Sequence, residues 1–342
     1  KQRCKTGGRM NRNIIDQMTE GYVPDREELT ELLKGGSDEY LFEKANELTM
    51  RVKGKKVDIR AILEFSSYCR CRCIYCGLRA DNANAQRYRL SADDIVNTTL
   101  EAAQAGYRTI VLQSGEDPFY TEEIICDIVR RIKAGSDIAI TLSIGERPYG
   151  ELSAMREAGA DRFLLKHETS DPELYEHIHR GDHLSDRTGC QKNLKALGYE
   201  TGGGFMIGLP GQTLDTIAGD LLLIREIGCE MAGIGPFISH EQTPLAGEKN
   251  GDPLLTRRTV ALARLLLPSA NLPATTSLGV IDRSQLDLIF SNGANVIMRK
   301  VTPWSERTKY EIYPTNFGEE KDILTARKEL EQYIESLDRI PV

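Results

Sequence analysis

Aromatic residues and histidine are scarce in this chain of 342 residues, which has one tryptophan, five histidines and 6% aromatic residues. No apolar run is long enough to cross a bilayer. The opening residues are polar and basic, without the apolar stretch of a secretory signal. Positive charge is not in excess either, because the formal net charge is −7. These features predict a cytoplasmic protein that binds neither nucleic acid nor membrane.

Cysteine is sparse and unevenly placed, since four of the eight cysteines fall between positions 69 and 76. The remaining four are scattered along the chain and are predicted to be ordinary buried or surface residues. A close group of cysteines in an acidic chain of this kind favours metal binding or redox chemistry over a disulfide framework.

The spacing Cys69-x3-Cys73-x2-Cys76 is the informative pattern within this group. Three thiolates in one loop can hold three irons of a [4Fe–4S] cluster and leave the fourth iron open to a small molecule. A metal site with an open position is typical of catalysis. Cys71 is interpreted as a bystander. The alternative is a zinc site in a non-catalytic scaffold, which is less favoured because the chain lacks a second CxxC pair.

The order of helix-like and strand-like segments predicts an α/β fold. Residues 1–57 show helical patterns and form a predicted N-terminal extension. From Asp58 onwards, eight strand-like segments alternate with helical segments, which predicts a (β/α)8 TIM-type barrel over residues 58–314. An open doubly wound sheet is the alternative, but no GxGxxG motif follows the first strand. Residues 315–342 are predicted to form a C-terminal helix that packs on the barrel.

The predicted fourth strand, RFLLKHE (162–168), carries an unusual charge pattern. Strand alternation places Arg162, Lys166 and Glu168 on one face, which we expect to point into the barrel. Buried charges need partners or a ligand. The segment therefore forms either a structural ion network or, as we favour, part of a site for an anionic small molecule. His167 faces the opposite way and is predicted to lie in the core with its hydrogen-bonding groups satisfied.

Two further predictions come from glycine and histidine. The run Gly202-Gly203-Gly204 is expected to let a ligand approach the fifth strand, rather than to make a bend in the barrel. The other four histidines show no metal-ligand spacing and are interpreted as surface or loop residues: His177, His179, His183 and His240.

The cysteine motif after the first strand, with Tyr75 before its last cysteine, resembles that of the radical S-adenosylmethionine (radical SAM) superfamily. Segments such as ILEFSSYCRCRCIYCGLRADN, TIVLQSGEDPFY and LGYETGGGFMIGLPGQT resemble most closely the HydE family of FeFe-hydrogenase maturases. Biotin synthase and 3-methylornithine synthase share the wider architecture. The resemblance covers about Asp58 to Pro314 and implies S-adenosylmethionine as a second cofactor, cleaved by one electron to a 5′-deoxyadenosyl radical.

The resemblance also implies roles for individual residues. Glu168 and Arg187 match positions that bind the amino and carboxylate groups of S-adenosylmethionine, and Tyr75, Gln113 and Ser114 match positions beside this cofactor. A second set, together with Lys166, matches the substrate pocket and its mouth: Thr141, Arg162, Thr275, Thr276, Met298, Tyr310 and Tyr313.

For function, the resemblance implies attack on an Fe(CO)2(CN)–cysteine synthon during H-cluster assembly, with HydG, HydF and an electron donor as partners. Three departures matter. The C-terminal segment lacks cysteine, which predicts a single cluster. Lys166 stands where an arginine is expected, and the segment Arg299-Lys300-Val301 also differs. An amino acid or another carboxylate-bearing substrate, as for 3-methylornithine synthase, therefore stays open as an alternative.

Overall fold

The computed structural model describes residues 2–315 and 318–342, with side chains from Met10 onwards. Three helices precede the sheet: α1 (Gln2–Thr19), α2 (Arg26–Lys34) and α3 (Asp38–Lys53). Helix α2 begins with a capping box, in which Asp25 and Glu28 satisfy each other's backbone N–H groups. Two glycines, Gly35 and Gly54, follow the ends of α2 and α3. The helical character expected for this part of the chain is therefore present.

Eight parallel strands follow and form a nearly closed barrel, which confirms the TIM-type prediction. They are β1 (Lys56–Ser66), β2 (Thr109–Ser114), β3 (Ala139–Ser143), β4 (Arg162–Leu164), β5 (Glu200–Ile207), β6 (Met231–Pro236), β7 (Pro273–Ala274) and β8 (Val296–Lys300). Paired neighbours run in the order β6-β5-β4-β3-β2-β1-β8-β7. The remaining seam, between β6 and β7, is bridged by Met231 and Asn271.

Helices cover the outside of the barrel. They are α4 (Ala92–Gln104), α5 (Glu122–Gly135), α6 (Tyr149–Ala158), α7 (Pro172–Ile178), α8 (Leu184–Ala196), α9 (Leu214–Ile227), α10 (Pro253–Leu266), α11 (Thr276–Ile281), α12 (Arg283–Ile289) and α13 (Trp304–Arg307). Strand β1 shows how the layers form. Its residues Ile59, Ala61 and Leu63 belong to the buried apolar core, whereas Ile62 and Glu64 line the lumen. The apolar core thus surrounds a lumen that can carry polar groups.

Two strands are shorter than the sequence pattern predicts. Strand β4 ends at Leu164, because the N–H groups of His167 and Glu168 both donate to the carbonyl of Gly204 and disturb the ladder. Strand β7 ends at Ala274, because Thr275 is already the residue that caps α11. The sequence pattern predicts strands over RFLLKHE (162–168) and over LPATTSL (272–278). Both predicted strands are therefore too long, although side chains of both segments still reach the lumen.

The glycine run of β5 packs against protein atoms. A Cβ on Gly203 would lie 2.7 Å from Cys229 Sγ, and one on Gly204 would lie 2.2 Å from the carbonyl oxygen of Gly233. These glycines permit β5 and β6 to approach each other and do not line the cavity described below. Ligand approach at this run stays a prediction without support in these contacts, which show close packing of Gly204 against β6.

The C-terminal segment adds helix α14 (Ile323–Ser336) and a short strand β9 (Ile340–Pro341). Strand β9 pairs in parallel with the beginning of β1, so that Lys56 lies opposite Ile340, a pairing the sequence pattern did not predict. Tyr333 on α14 donates a hydrogen bond to Asp287 of α12. The predicted segment 315–342 includes Asn316 and Phe317, which lie outside the described residues. In the described chain, helices long and apolar enough to span a membrane were not found.

Candidate active site

A cavity of about 390 Å³ opens at the carboxyl ends of the strands, the end at which barrel enzymes carry their active sites. The predicted site residues converge on this cavity, with two exceptions treated below. Those that line it are Cys69, Cys73, Tyr75, Cys76, Gln113, Ser114, Lys166, Glu168, Arg187, Thr275, Thr276, Met298, Tyr310 and Tyr313.

The cysteine loop follows β1 and is held by backbone contacts on two sides. The N–H of Ile74 donates to the carbonyl of Ile178 at 2.9 Å, and that of Gly77 donates to Ile312 at 2.8 Å. The turn after β2 packs closely against the beginning of the cysteine loop. A Cβ on Gly115 would lie 2.2 Å from the carbonyl oxygen of Tyr68, so only glycine allows this approach. The next residue, Glu116, donates its N–H to Cys69 Sγ at 3.4 Å.

The thiols of this loop fit iron–sulfur ligation. Burial raises the pKa of Cys76 to about 12, and a hydrogen bond with Cys71 followed by burial raises the pKa of Cys69. Without metal, Cys69 and Cys76 are therefore held as neutral thiols, which release their protons when a metal binds. Within residues 10–315 and 318–342, no three His, Cys, Asp or Glu side chains form a recognisable single-ion site. A [4Fe–4S] cluster takes each thiolate on a separate iron, so its ligands need not meet at one point.

Glu168 lies at the cavity in a strained conformation. Its φ of +64° is in the left-handed region, which a glutamate rarely adopts. Its Oε2 lies 3.1 Å from Lys166 Nζ. This buried oxygen nevertheless has no hydrogen bond of acceptable geometry from any described residue. A carboxylate oxygen left unsatisfied beside a cavity fits a bound ammonium group such as that of S-adenosylmethionine.

Arg187 of α8 provides the matching cation. It is 7% exposed and lies 2.8 Å from Glu146 and 3.8 Å from Glu116. It also donates to the hydroxyl of Tyr175 at 3.0 Å. Burial opposes its charge, but Tyr175, Glu146 and Glu116 together hold its pKa above the ordinary value. A guanidinium fixed in this way suits a carboxylate ligand.

His179 lines the cavity and lies in the loop that follows α7, which agrees with the loop alternative of its prediction. It is 2% exposed, so the surface alternative does not hold. Its Nε2 lies 2.9 Å from the Tyr75 hydroxyl, and its ring stacks on Tyr175 at 4.3 Å between centroids. Burial lowers its pKa to about 3. His179 thereby holds the aromatic residue that precedes Cys76. His240 is likewise a buried loop residue, at 4% exposure.

The prediction for His167 holds only in part. The ring is completely buried, as expected for a core residue. Both ring nitrogens, however, lack a hydrogen-bond partner among the described residues. The nearest acid is Asp220 of α9, at 3.8 Å. Burial lowers the pKa of His167 to about 3 and raises that of Asp220 to about 8.

Hydroxyl groups and tyrosines cover the other side of the cavity. Gln113 donates to the hydroxyl of Tyr310 at 3.2 Å, and Ser277 and Thr275 lie 3.3 Å apart. Burial raises the pKa of both Tyr310 and Tyr313, which keeps these phenols neutral. Residues 310–315 therefore border the cavity from the segment after β8.

Arg162 and Thr141 are the two predicted substrate residues that do not line the cavity. Arg162 begins β4 and so lies at the opposite, amino-terminal end of the barrel. Its guanidinium contacts Glu200 at 2.6 Å and Thr109 at 2.8 Å. Thr141 is paired beside Arg162 in the sheet and is fully buried. Alternation predicts which face of a strand points inward but not the height of a residue along the barrel. The assignment of Thr141 and Arg162 to the substrate therefore stays a prediction that the lining of this cavity does not support.

Several cavity residues were not assigned to the site by the sequence prediction, among them Glu64 and Lys300. Glu64 and Lys300 form an ion pair at 2.8 Å. Burial raises the pKa of Glu64, and Lys300 acts in the opposite direction. A glutamate inside the otherwise apolar stretch AILEFS was the available signal, because alternation places it on the inner face with Ile62.

Comparisons with known proteins agree with this geometry. Residues 63–224 match the family model of the radical SAM superfamily. The FeFe-hydrogenase maturase subunit HydE of Thermotoga maritima is 50% identical over 279 residues, which cover 82% of this chain and 80% of that protein. The 3-methylornithine synthase of Methanosarcina acetivorans is 29% identical over 92% of this chain and 91% of its own length. The crystal structure of a methylornithine synthase (PylB) superposes with a TM-score of 0.84 at 26% identity, covering 96% and 97% of the two chains.

Proposed function

The chain belongs to the HydE family of radical SAM enzymes, and from this premise we propose that it modifies an Fe(CO)2(CN)–cysteine synthon during assembly of the FeFe-hydrogenase H-cluster. One observation carries the proposal. A single cavity joins the cysteine loop, the Glu168 and Arg187 pair, and a wall of hydroxyls and lysines. Cofactor and substrate can therefore meet inside the same enclosed space.

The residues that line this cavity would bind different parts of the cofactors. When bound, a [4Fe–4S] cluster and S-adenosylmethionine supply a 5′-deoxyadenosyl radical upon one-electron reduction. The thiolates of Cys69, Cys73 and Cys76 would hold the cluster and leave one iron for the cofactor. Glu168 would bind the amino group of S-adenosylmethionine, and Arg187 would bind its carboxylate.

Enclosure supports radical chemistry at this site. Tyr310 is 2% exposed and is tied to Gln113 of β2, and Ile312 binds the cysteine loop through its carbonyl. These contacts fix the segment after β8 against the cavity. A site that excludes water protects a reactive intermediate from side reactions. The chain thus contributes positioning and shielding, and the cofactors contribute the reactive chemistry.

The proposal includes the cellular setting. We place the protein in the cytoplasm, with HydG as the supplier of the synthon, HydF as a further maturation partner, and a separate reductant as the electron donor. The similarity to HydE over 82% of the chain supports this setting.

A second candidate is a radical SAM enzyme that acts on an amino acid or another carboxylate-bearing molecule. The likeness to 3-methylornithine synthase supports it over 92% of the chain. Lys166 and Lys300 are compatible with both candidates, because these two cations line the cavity and suit an organic acid as well as a metal complex.

Product analysis on the anaerobically reconstituted protein tests the proposal. Dithionite and S-adenosylmethionine are added with and without the synthon, and 5′-deoxyadenosine and adenosylated products are measured. We expect slow cleavage alone and an adenosylated product with the synthon. Cleavage that ignores the synthon would reject the hydrogenase role and support the second candidate. A protein that takes up zinc, but neither binds iron nor cleaves the cofactor, would instead indicate a non-catalytic scaffold.

A further inference from the structure

The pair formed by Lys300 and Glu64 has a clear orientation toward the cavity. Glu64 is 2% exposed, whereas the side chain of Lys300 is 27% exposed, and both line the cavity. The carboxylate of Glu64 therefore lies deeper in the protein, and the ammonium of Lys300 lies closer to the open cavity. A ligand in the cavity meets a cation that already has its counter-charge in place.

Glu64 is held so that it cannot turn toward the ligand itself. Its N–H donates to the Thr302 hydroxyl at 2.9 Å, and that hydroxyl lies 3.3 Å from Glu64 Oε2. The Tyr88 hydroxyl donates to the Glu64 carbonyl at 2.6 Å. A fixed, buried carboxylate keeps the partner ammonium in one place, which lowers the entropy lost when that ammonium binds an anion.

A second ammonium lies on the opposite wall of the lumen. Lys166 is on the segment that continues β4, and Lys300 is the last residue of β8. Four steps along the sheet separate β4 from β8, which places them across the lumen of an eight-stranded barrel from each other. Lys166 passes beside Gly233 of β6, where a Cβ would make ordinary van der Waals contact with Lys166 Cε at 3.7 Å.

We propose that the cavity selects a substrate with two negatively charged groups, one for each wall, and that Lys300 recognises the second of them. This inference rests on the proposed function, since it concerns the substrate of the same site. The lysine ammonium is a point charge without the planar, bidentate geometry of arginine. It can therefore pair with a carboxylate or with the negatively charged side of a metal complex. A dicarboxylate and the organometallic synthon would thus both present negatively charged groups to the two lysines.

Binding measurements test the selection without relying on turnover. Glutarate and butyrate, with two and one carboxylates, are titrated calorimetrically into the reconstituted holoenzyme in the presence of S-adenosylmethionine. We expect glutarate to bind at least about tenfold more tightly than butyrate. The synthon, titrated in a parallel arm, shows whether the organometallic source uses the same contact.

The variants are chosen to keep the fold. Lys300→Met alone leaves a buried carboxylate without its cation, so the double variant Glu64→Gln with Lys300→Met removes both charges. We expect this double variant to lose the preference for glutarate and Lys300→Arg to retain it. Lys309→Met is the matched control, because Lys309 pairs with Glu306 outside the cavity. The affinity for S-adenosylmethionine should be the same in all of these proteins.

Two results would overturn the inference: a wild-type protein without preference for glutarate, or a double variant that keeps it. Failure of the proposed function looks different. A Lys300-dependent preference for glutarate together with no product from the synthon would reject the hydrogenase role and leave the two-anion site intact. Adenosylation of the synthon by a wild-type protein that shows no preference for glutarate would reject the site and leave the role intact.

Discussion

Charged residues lie at both ends of the barrel lumen, but their surroundings differ. At the amino-terminal base, Arg60 pairs with Asp58 at 2.7 Å and Arg162 pairs with Glu200 at 2.6 Å. Asn271 extends this base network, because it donates to Glu200 at 3.3 Å and accepts from Lys53 at 3.2 Å. At the carboxyl-terminal end, charged groups line a cavity of about 390 Å³.

The difference teaches that residue type alone does not mark the active end. Buried charges need partners at both ends. At the base the protein supplies carboxylate partners for Arg60 and Arg162, which favours a structural network. At the carboxyl-terminal end, Glu168 Oε2 has no well-formed hydrogen bond from the described part of the chain, and a bound ligand would complete its contacts. The role of Arg162 in substrate binding stays a prediction, because its position at the base does not border the cavity.

The largest effect is expected when the cavity loses its cluster. Cys76→Ala should reduce the iron content from about four per chain to nearly zero and abolish formation of 5′-deoxyadenosine, while the apo protein stays folded. Cys71→Ala is the matched control and should keep both iron and cleavage. Iron analysis, product chromatography and circular dichroism measure the three properties.

Either of two outcomes would contradict the division of roles among these cysteines. Loss of the cluster in Cys71→Ala would make that residue a ligand. Global unfolding of Cys76→Ala without added metal would assign the cysteine a structural role.

A change at the base should affect stability and leave ligand binding unchanged. Arg162→Met removes the contacts with Glu200 and Thr109 and leaves a carboxylate unpaired, which we expect to lower the free energy of unfolding by about 2 kcal/mol. Urea denaturation of the apo protein measures this loss. The affinity for S-adenosylmethionine should not change, and a marked weakening of that affinity would return Arg162 to the active site.

The smallest effect is expected from the protonation of Asp220 on α9. Asp220 accepts hydrogen bonds from the Ser170 N–H and from Gln212, and burial raises its pKa from 3.8 to about 8. In this range the folded state binds a proton that the unfolded state releases, so stability is lost as the pH rises toward 8. His167 and His179 have the opposite effect, which fades as the pH rises above their ordinary pKa of 6.5. Between pH 6.5 and 8 the free energy of unfolding should therefore decline with rising pH, by less than the ~1.4 kcal/mol per pH unit that one whole proton would give.

The variant Asp220→Asn removes this titration and keeps a side chain of the same shape. We expect its free energy of unfolding to be nearly independent of pH between 6.5 and 8, whereas that of the wild type declines. Denaturation series at several pH values compare the two proteins directly. Parallel curves for both proteins would show that Asp220 is already ionised in the folded state.

Periodicity and spacing predicted much of this molecule. Eight strand–helix alternations gave the barrel, and the cysteine spacing gave the loop that borders the cavity. Local patterns did not show where a strand stops, because the end of β4 depends on Gly204 of a neighbouring strand. They also did not reveal His179 or the pairing of Glu64 with Lys300, since those contacts join residues that are distant in sequence.

The most direct test of the contrast between the two ends compares two glutamates that both face cations inside the lumen. Equilibrium dialysis measures the Kd for S-adenosylmethionine in the reconstituted variants Glu168→Gln and Glu200→Gln. We predict that Glu168→Gln raises this Kd by about 10- to 100-fold, while Glu200→Gln leaves the Kd unchanged and lowers stability. Equal Kd values in the two variants, or weaker binding in Glu200→Gln, would contradict the account.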